Sequence, residues 1–169
     1  MEKNWIKNFN ELATTDNRKL ALTIVEAGLE SINTEIAILN SLKLQNNVLS
    51  ILGESFDLAK FKKIKIIGFG KTSGKAALAL EKILGDKITE GVVLGPSEIN
   101  SKYIKAFVGT HPKPSEINFQ ASKKIVEIIE NSEENDLIIA VVSGGGSAYL
   151  CYPENEYIQG AKLYDEFLK

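Results

Sequence analysis

Residues 63–85 read KIKIIGFGKTSGKAALALEKILG, and this stretch decides the fold class. Residues 63–67 indicate a short buried strand, because Ile-rich runs that end at glycine are typical of strands. The Ala- and Leu-rich residues 73–84 predict a helix that ends at Gly85. A strand, a glycine turn and a helix in this order place a helix amino terminus where an anion can bind.

The glycine turn of this unit matches neither standard nucleotide fingerprint. Gly68, Gly70 and Gly74 are spaced one residue wider at the end than the dinucleotide pattern. A P-loop would need glycine at Phe69 and a hydroxyl at Ala76, which has none. We therefore expect Gly68 and Gly70 to help bind phosphate through backbone N–H groups, but not within either standard motif.

A second glycine turn, Ser143-Gly144-Gly145-Gly146-Ser147, follows the apolar run at 137–142. Consecutive glycines allow positive φ and bring several N–H groups to one point, and the flanking serines add hydroxyls. The loop therefore predicts a cradle for phosphate or carboxylate oxygens. The alternative is a tight turn in which Ser143 and Ser147 only cap local structure.

The remaining pattern predicts an α/β fold, a mostly parallel Rossmann-like sheet flanked by helices with a helical amino-terminal segment. The predicted strands are 64–67, 91–94, 104–108 and 137–142, and the predicted helices between them are 73–84 and 116–130. We expect one domain over residues 1–169, with a helical part at 1–60, a sheet-forming part at 61–150 and a carboxy-terminal helix at 155–168. The link at 95–103 is too short for an ordinary crossover helix, so it is either an edge hairpin or a tight crossing.

Composition limits the classes of function. The chain has 169 residues, is 44% hydrophobic and carries a formal net charge of −2, so it has core-forming capacity and no basic bias for nucleic acid. The single cysteine excludes a disulfide framework. No apolar run reaches membrane-span length and no signal peptide is visible, so we expect a cytoplasmic protein without membrane or nucleic-acid partners.

Three unusual loops, at 68–75, 109–115 and 143–147, are predicted to leave the carboxyl edge of the sheet, where open α/β sheets bind ligands. Lys71 begins a helix, where a cation is unfavourable unless an anion is present, so Lys71 is a candidate catalytic residue. His111 is the only histidine and a candidate substrate-binding residue. A structural hydrogen-bonding role is the alternative for His111.

These motifs, in this order, resemble the amino-terminal (DUF4147-type) domain of the bacterial and archaeal glycerate 2-kinases, whose partner module is the MOFRL domain. The resemblance rests on Gly68-Phe69-Gly70-Lys71, Gly91-Val92-Val93, Thr110-His111-Pro112-Lys113-Pro114 and Ser143-Gly144-Gly145-Gly146-Ser147-Ala148. It implies ATP and D-glycerate as ligands, Mg²⁺ with the ATP, and Lys71 acting on the transferring phosphoryl group. The metal ligands are not identified from the sequence.

The chain departs from that family in three ways. Thr110 and Ser115 stand where the family usually has glycine and aspartate, and Lys75 replaces a small or apolar residue. The carboxy-terminal MOFRL-type domain is absent, so the resemblance implies a truncated chain that is inactive alone. The missing half is expected from a separately encoded second domain or from a homo-oligomer.

Two alternatives to a kinase half remain from the sequence. One is a phosphosugar-binding module that resembles the sugar-isomerase domain, where a similar turn to Gly70-Lys71 opens a helix beside a phosphosugar. That module expects a serine-rich loop in place of three glycines and has no need of the His111 turn. The other is an inert truncated remnant, which would leave the apolar face of residues 157–167 uncovered.

Overall fold

The computed structural model describes residues 5–167. The helices, in chain order, are α1 (Phe9–Leu12), α2 (Asp16–Ser31), α3 (Thr34–Ser41), α4 (Ser73–Leu84), α5 (Glu116–Glu130), α6 (Gly146–Tyr149) and α7 (Glu154–Phe167). The strands are β1 (Leu42–Gln45), β2 (Val48–Ile51), β3 (Glu54–Asp57), β4 (Lys63–Phe69), β5 (Ile88–Gly95), β6 (Ile104–Val108) and β7 (Asp136–Val142). Short 3₁₀ turns lie at Leu58–Lys60 and Gly85–Lys87.

The predicted fold class is confirmed by a four-stranded parallel sheet in the order β6-β5-β4-β7. The four predicted strands correspond to β4, β5, β6 and β7, and the two predicted helices to α4 and α5. Strands β5 and β6 are parallel, so the link at 95–103 is a tight crossing and the edge-hairpin alternative is wrong. The central strand β4 is buried from Ile64 to Gly68 because it has a strand on each side and helices on both faces.

Two apolar clusters cover the opposite faces of the sheet. On one face, Ile66 and Val93 pack with Ala77 and Leu80 of α4. On the other face, alternate strand residues pack against helices α5 and α6. The strand residues are Ile67, Val92 and Leu94, and the helix residues are Ala121, Ile125, Ile128 and Tyr149. Neighbouring residues of one strand point to opposite faces, so each strand contributes to both clusters. Both faces of the sheet are therefore covered by packed apolar side chains.

The prediction that residues 1–60 are helical is wrong for residues 42–57, which form an antiparallel sheet in the order β1-β2-β3. The physical reason lies in two tight turns. Asn46 and Asn47 have φ of 49° and 65° and join β1 to β2, while Leu52 and Gly53 also have positive φ and join β2 to β3. Two-residue loops with positive φ are the turns that match the twist of a hairpin.

Helix α2 agrees with the helical amino-terminal prediction. It starts after Thr15, and the Thr15 side chain accepts a hydrogen bond from the Arg18 N–H. The predicted carboxy-terminal helix at 155–168 corresponds to α7, except that residue 168 lies outside the described residues. Within residues 5–167, no helix combines the length and the apolar character needed to cross a bilayer.

The amino end of the sheet contains a buried ion pair. Lys65 is 1% exposed, and its ammonium lies 3.1 Å from Asp136 Oδ2. Burial opposes ionisation of Asp136, but the Glu133 N–H and the Lys65 ammonium outweigh it and lower the pKa of Asp136. A carboxyl with a lowered folded pKa binds protons less tightly than in the unfolded chain, so its stabilising effect is present above about pH 4 and is lost as the pH falls through the folded pKa.

We therefore expect Asp136→Asn to reduce stability at about pH 7, where the unaltered chain has the full effect, and to weaken the dependence of stability on pH below about pH 4. The measurement is the urea midpoint of unfolding, taken once at about pH 7 and once below about pH 4. Glu134→Gln, at an exposed neighbouring carboxylate, is the control. An unchanged midpoint at neutral pH in Asp136→Asn would contradict the role of the pair.

Candidate functional site

Three loops emerge from one edge of the sheet. Strands β4, β6 and β7 end at Phe69, Val108 and Val142, and all three run in the same direction. The residues that follow them are the turn at 70–72, the turn at 109–115 (the His111 turn) and the loop at 143–147 (the triple-glycine loop). The sheet therefore brings the three loops together, as the parallel arrangement predicts.

The turn after β4 is joined to the triple-glycine loop by hydrogen bonds that its backbone N–H groups donate. The Lys71 N–H donates to Gly144 O at 2.9 Å, and the Thr72 N–H donates to Ser143 Oγ at 3.1 Å. Gly70 has φ of 115°, and a Cβ built on it would lie 2.5 Å from Ser143 O. Only glycine allows this approach. Gly70 and Ser143 thus fix the position of the Lys71 backbone.

Gly68 and Gly70, which the sequence predicts to bind phosphate, make packing and hydrogen-bond contacts within the protein. Gly68 lies inside β4, where a Cβ would approach Val93 Cγ1 to 3.0 Å, so it serves packing. Gly70 is buried and its N–H donates to Leu94 O at 3.0 Å. The reason is that the β4–α4 turn satisfies its own donors from neighbouring strands and loops. Its N–H groups at residues 70–73 are all directed at protein acceptors.

The triple-glycine loop, in contrast, has unused donors. Among residues 5–167, the backbone N–H groups of Gly144, Gly145 and Ser147 have no hydrogen-bond acceptor. Gly144 is exposed, and the position of its Cβ is open. Gly146 differs, because it is buried against the Phe69 ring and its N–H donates to Ser143 O at 3.1 Å. The loop therefore presents three free N–H groups and the exposed Ser147 side chain.

Lys71 and His111 both approach Gly145 of this loop on the side where a Cβ would stand. A Cβ built on Gly145, whose φ is 81°, would lie 2.8 Å from His111 Nε2 and 3.4 Å from Lys71 Cε. The Lys71 side chain is exposed, and its ammonium has no hydrogen bond or ion pair with any residue that the structure describes. The His111 ring stacks on Tyr149 with centroids 5.4 Å apart. Burial raises the pKa of the Tyr149 hydroxyl.

Of the nine predicted site residues, five lie at the open surface of the triple-glycine loop, and the other four make contacts that hold the loops in position. Lys71, His111, Gly144, Gly145 and Ser147 surround the open loop surface, while Gly68, Gly70, Ser143 and Gly146 make packing or backbone contacts. These residues offer an ammonium, an imidazole, a hydroxyl and free N–H groups, and none of them has a carboxylate side chain. Such a set of groups suits a ligand with phosphate or carboxylate oxygens. Their roles in binding stay a prediction.

Asn118 is the functional residue that the sequence analysis missed. It is fully buried in the first turn of α5. Its Oδ1 accepts from the Thr110 N–H at 2.8 Å and the Ser115 N–H at 3.2 Å, and its amide donates to Thr110 O at 3.0 Å and Tyr149 O at 3.1 Å. It therefore holds the His111 turn at both ends. The available signal was its place three residues after Ser115, where a polar side chain reaches back over a helix start.

We expect Gly145→Ala to displace His111 and to destabilise the chain by about 1 kcal/mol or more, because alanine is strained at positive φ and its Cβ would overlap the imidazole. The measurements are the urea midpoint and the imidazole proton shifts of His111, which is the only histidine. Gly144→Ala is the matched control, since its Cβ would meet nothing within 4 Å. Equal effects of the two substitutions would contradict the described loop geometry.

The fold and the loop arrangement define a parallel α/β domain whose glycine-rich loops meet at one edge of the sheet. The chain belongs to the family described as "Domain of unknown function (DUF4147)", which matches residues 20–165. This confirms the family resemblance found in the motifs.

Its similar proteins include several glycerate kinases. The glycerate 2-kinase of Picrophilus torridus is 32% identical over 153 residues, which are 89% of this chain and 34% of that protein. The glycerate 2-kinase of Pyrococcus horikoshii is 29% identical over 152 residues, 89% of this chain and 33% of that protein. The chain thus spans about a third of the length of these relatives.

Two solved structures have the same fold. A crystal structure of a protein from Pyrococcus horikoshii superposes with a TM-score of 0.77 at 28% identity, over 91% of this chain and 35% of the other. The crystal structure of a glycerate kinase from Thermotoga maritima superposes with a TM-score of 0.64 at 25% identity, over 89% of this chain and 34% of the other.

Proposed function

We propose that this chain is the phosphate-handling part of an ATP-dependent glycerate 2-kinase, a phosphotransferase that moves the γ-phosphoryl group of ATP to the 2-hydroxyl of D-glycerate. Family membership and the named glycerate kinases among its relatives support the reaction class. The observation that carries the proposal is the meeting of Lys71, His111 and Gly145 at a loop with free N–H groups.

In this proposal each residue has a separate task. The N–H groups of Gly144, Gly145 and Ser147 hold phosphate oxygens, and the Lys71 ammonium neutralises the charge of the transferring phosphoryl group. His111, which lies next to Lys71 against Gly145, binds D-glycerate. The bond between the γ-phosphorus and the bridging oxygen of ADP breaks as the glycerate oxygen bonds to phosphorus. Phosphoryl transfer depends mainly on positioning and charge neutralisation, which these groups supply.

Magnesium is part of the proposal only as the ion that accompanies ATP. Residues 5–167 contain no group of three or more His, Cys, Asp or Glu side chains placed to hold a metal. The side chains at the site itself are Lys71, His111 and Ser147, which do not fit a magnesium ion held by the protein. We therefore assign no step to a protein-bound metal.

We further propose that this chain binds substrate but needs additional residues for turnover. It spans about a third of its relatives' length, and its site has no side chain assigned to accept the proton of the glycerate hydroxyl. Residues that correspond to the rest of these relatives would supply that acceptor. Binding is therefore a sharper test of this chain than transfer.

The test is calorimetric titration of the full chain with Mg-ATP, with D-glycerate and with a phosphosugar. We expect Mg-ATP and D-glycerate to bind. Binding of the phosphosugar alone would overturn the kinase proposal in favour of a phosphosugar-binding module. A folded chain that binds none of the three ligands would contradict a working half-site, and folding is verified by a cooperative urea transition.

A further inference from the structure

A cavity of about 570 Å³ lies beside the triple-glycine loop, on the side of the His111 turn that carries its prolines. Ser147 lines this cavity and also belongs to the anion-binding loop. His111 points toward Gly145, whereas the adjacent Pro112 borders the cavity. The His111 turn therefore separates two neighbouring spaces, and only the first is used by the groups assigned above.

The walls of the cavity combine ring side chains with polar groups. They come from prolines of two loops and tyrosines of the last segment, namely Pro112, Pro114, Pro153, Tyr152 and Tyr164. Glu156 adds one carboxylate. Such walls suit a planar aromatic ring that presents an amine to the carboxylate. They do not suit D-glycerate, which is small and has a carboxylate that Glu156 would repel.

An ion pair beside the cavity connects the His111 turn to α7. The Lys113 ammonium donates to both oxygens of Asp165 at 2.7 and 2.6 Å. On α7, Gly160 faces Pro114, and a Cβ built on Gly160 would lie 3.9 Å from Pro114 Cγ. The absence of a side chain at Gly160 keeps the space between the turn and α7 open.

Resting on the proposed function, we infer that this cavity binds the purine nucleoside part of the nucleotide, with the base between the proline and tyrosine walls and its amine directed at Glu156. The phosphates then extend past Ser147 to the free N–H groups of the loop and to Lys71. The nucleoside and D-glycerate occupy opposite sides of the His111 turn, so they bind without competing.

Cys151 provides a built-in probe of this inference. It lines the cavity and is the only cysteine of the chain. Burial raises the pKa of its thiol, so alkylation by iodoacetamide is followed under alkaline conditions. We expect adenosine, which has no phosphate, to slow the alkylation of Cys151 at least about fivefold at saturation, equivalent to about 1 kcal/mol. D-glycerate is expected to leave the rate unchanged.

Two variants localise the nucleoside by calorimetry. Gly160→Leu fills the cavity and is expected to reduce adenosine affinity at least about tenfold. Gln159→Leu places the same side chain at an exposed neighbouring position of α7 and is expected to bind as the unaltered chain does. If Gly160→Leu fails to fold, the protection of Cys151 in the unaltered chain still decides the question.

Different experimental results would refute the nucleoside site and the proposed function. Lys71→Ala is expected to keep adenosine protection, because adenosine has no group for Lys71 to contact. Protection by adenosine together with no binding of D-glycerate would refute the glycerate 2-kinase proposal and retain the nucleoside site. Binding of ATP without protection of Cys151, or protection by D-glycerate in place of adenosine, would overturn the inference.

Discussion

Lys71→Ala is expected to weaken Mg-ATP binding by about ten- to a hundredfold, which corresponds to the loss of one charge-assisted contact worth about 1.5–3 kcal/mol. In an assay that supplies any missing residues, transfer is expected to fall by a factor of about 10² or more. Stability should not change, because the Lys71 side chain is exposed and its ammonium has no partner among residues 5–167.

The matched control is Lys75→Ala. Lys75 is also exposed and lies in the first turn of α4, close in sequence to Lys71, but it borders a different cavity, next to Glu35 and Lys82. Both variants lose one positive charge, so a general effect of charge would appear equally in the two titrations. Retention of full ATP affinity in Lys71→Ala, or an equal loss in Lys75→Ala, would remove Lys71 from the site.

Asn118→Ala is expected to destabilise the chain by roughly 3 kcal/mol and to abolish detectable anion binding. The substitution leaves the N–H groups of Thr110 and Ser115, the carbonyl oxygen of Thr110 and the buried carbonyl oxygen of Tyr149 without the Asn118 partner. Buried polar groups that lose their partner are the main source of such large effects. The His111 turn and the Tyr149 ring beneath it then lose their common anchor.

Urea unfolding and Mg-ATP titration measure the two effects of Asn118→Ala. Asn118→Asp is a second test that preserves shape, because its carboxylate accepts hydrogen bonds but cannot donate to Thr110 O and Tyr149 O. It should also destabilise, while Gln120→Ala on the exposed side of α5 should change stability by less than about 0.5 kcal/mol. A stable Asn118→Asp variant that binds Mg-ATP normally would show that the two donated bonds are dispensable.

The local sequence determined the strands, helices and direction of the sheet. Periodic apolar runs between glycines were sufficient for β4, β6 and β7, and Ala- and Leu-rich or amphipathic stretches for α4 and α5. The hairpins at 42–57 were missed because leucine-rich segments fit a helix equally well. What decided their structure was the positive φ of Asn46 and Asn47 and the packing of Leu42 and Leu49 in the core.

Sequence spacing also identified which loops form the candidate site, since parallel strands end at a common edge. It did not distinguish the glycines that face an open surface from those that permit packing. Gly70 and Gly145 both have positive φ, yet Gly70 is buried against Ser143 and Gly145 lies between Lys71 and His111. That distinction depends on which neighbour occupies the space above each glycine, and the neighbour comes from a distant part of the chain.

The sequence by itself therefore determined the fold class, the family and the set of loops that meet. Only the tertiary structure decided which donors remain free, that Asn118 anchors the His111 turn, and that a second space lies behind Pro112. The physical reason is that strand and helix formation depend on nearby residues. Hydrogen-bond satisfaction and cavity shape depend on contacts between segments far apart in the chain, such as the Lys71 N–H with Gly144 O.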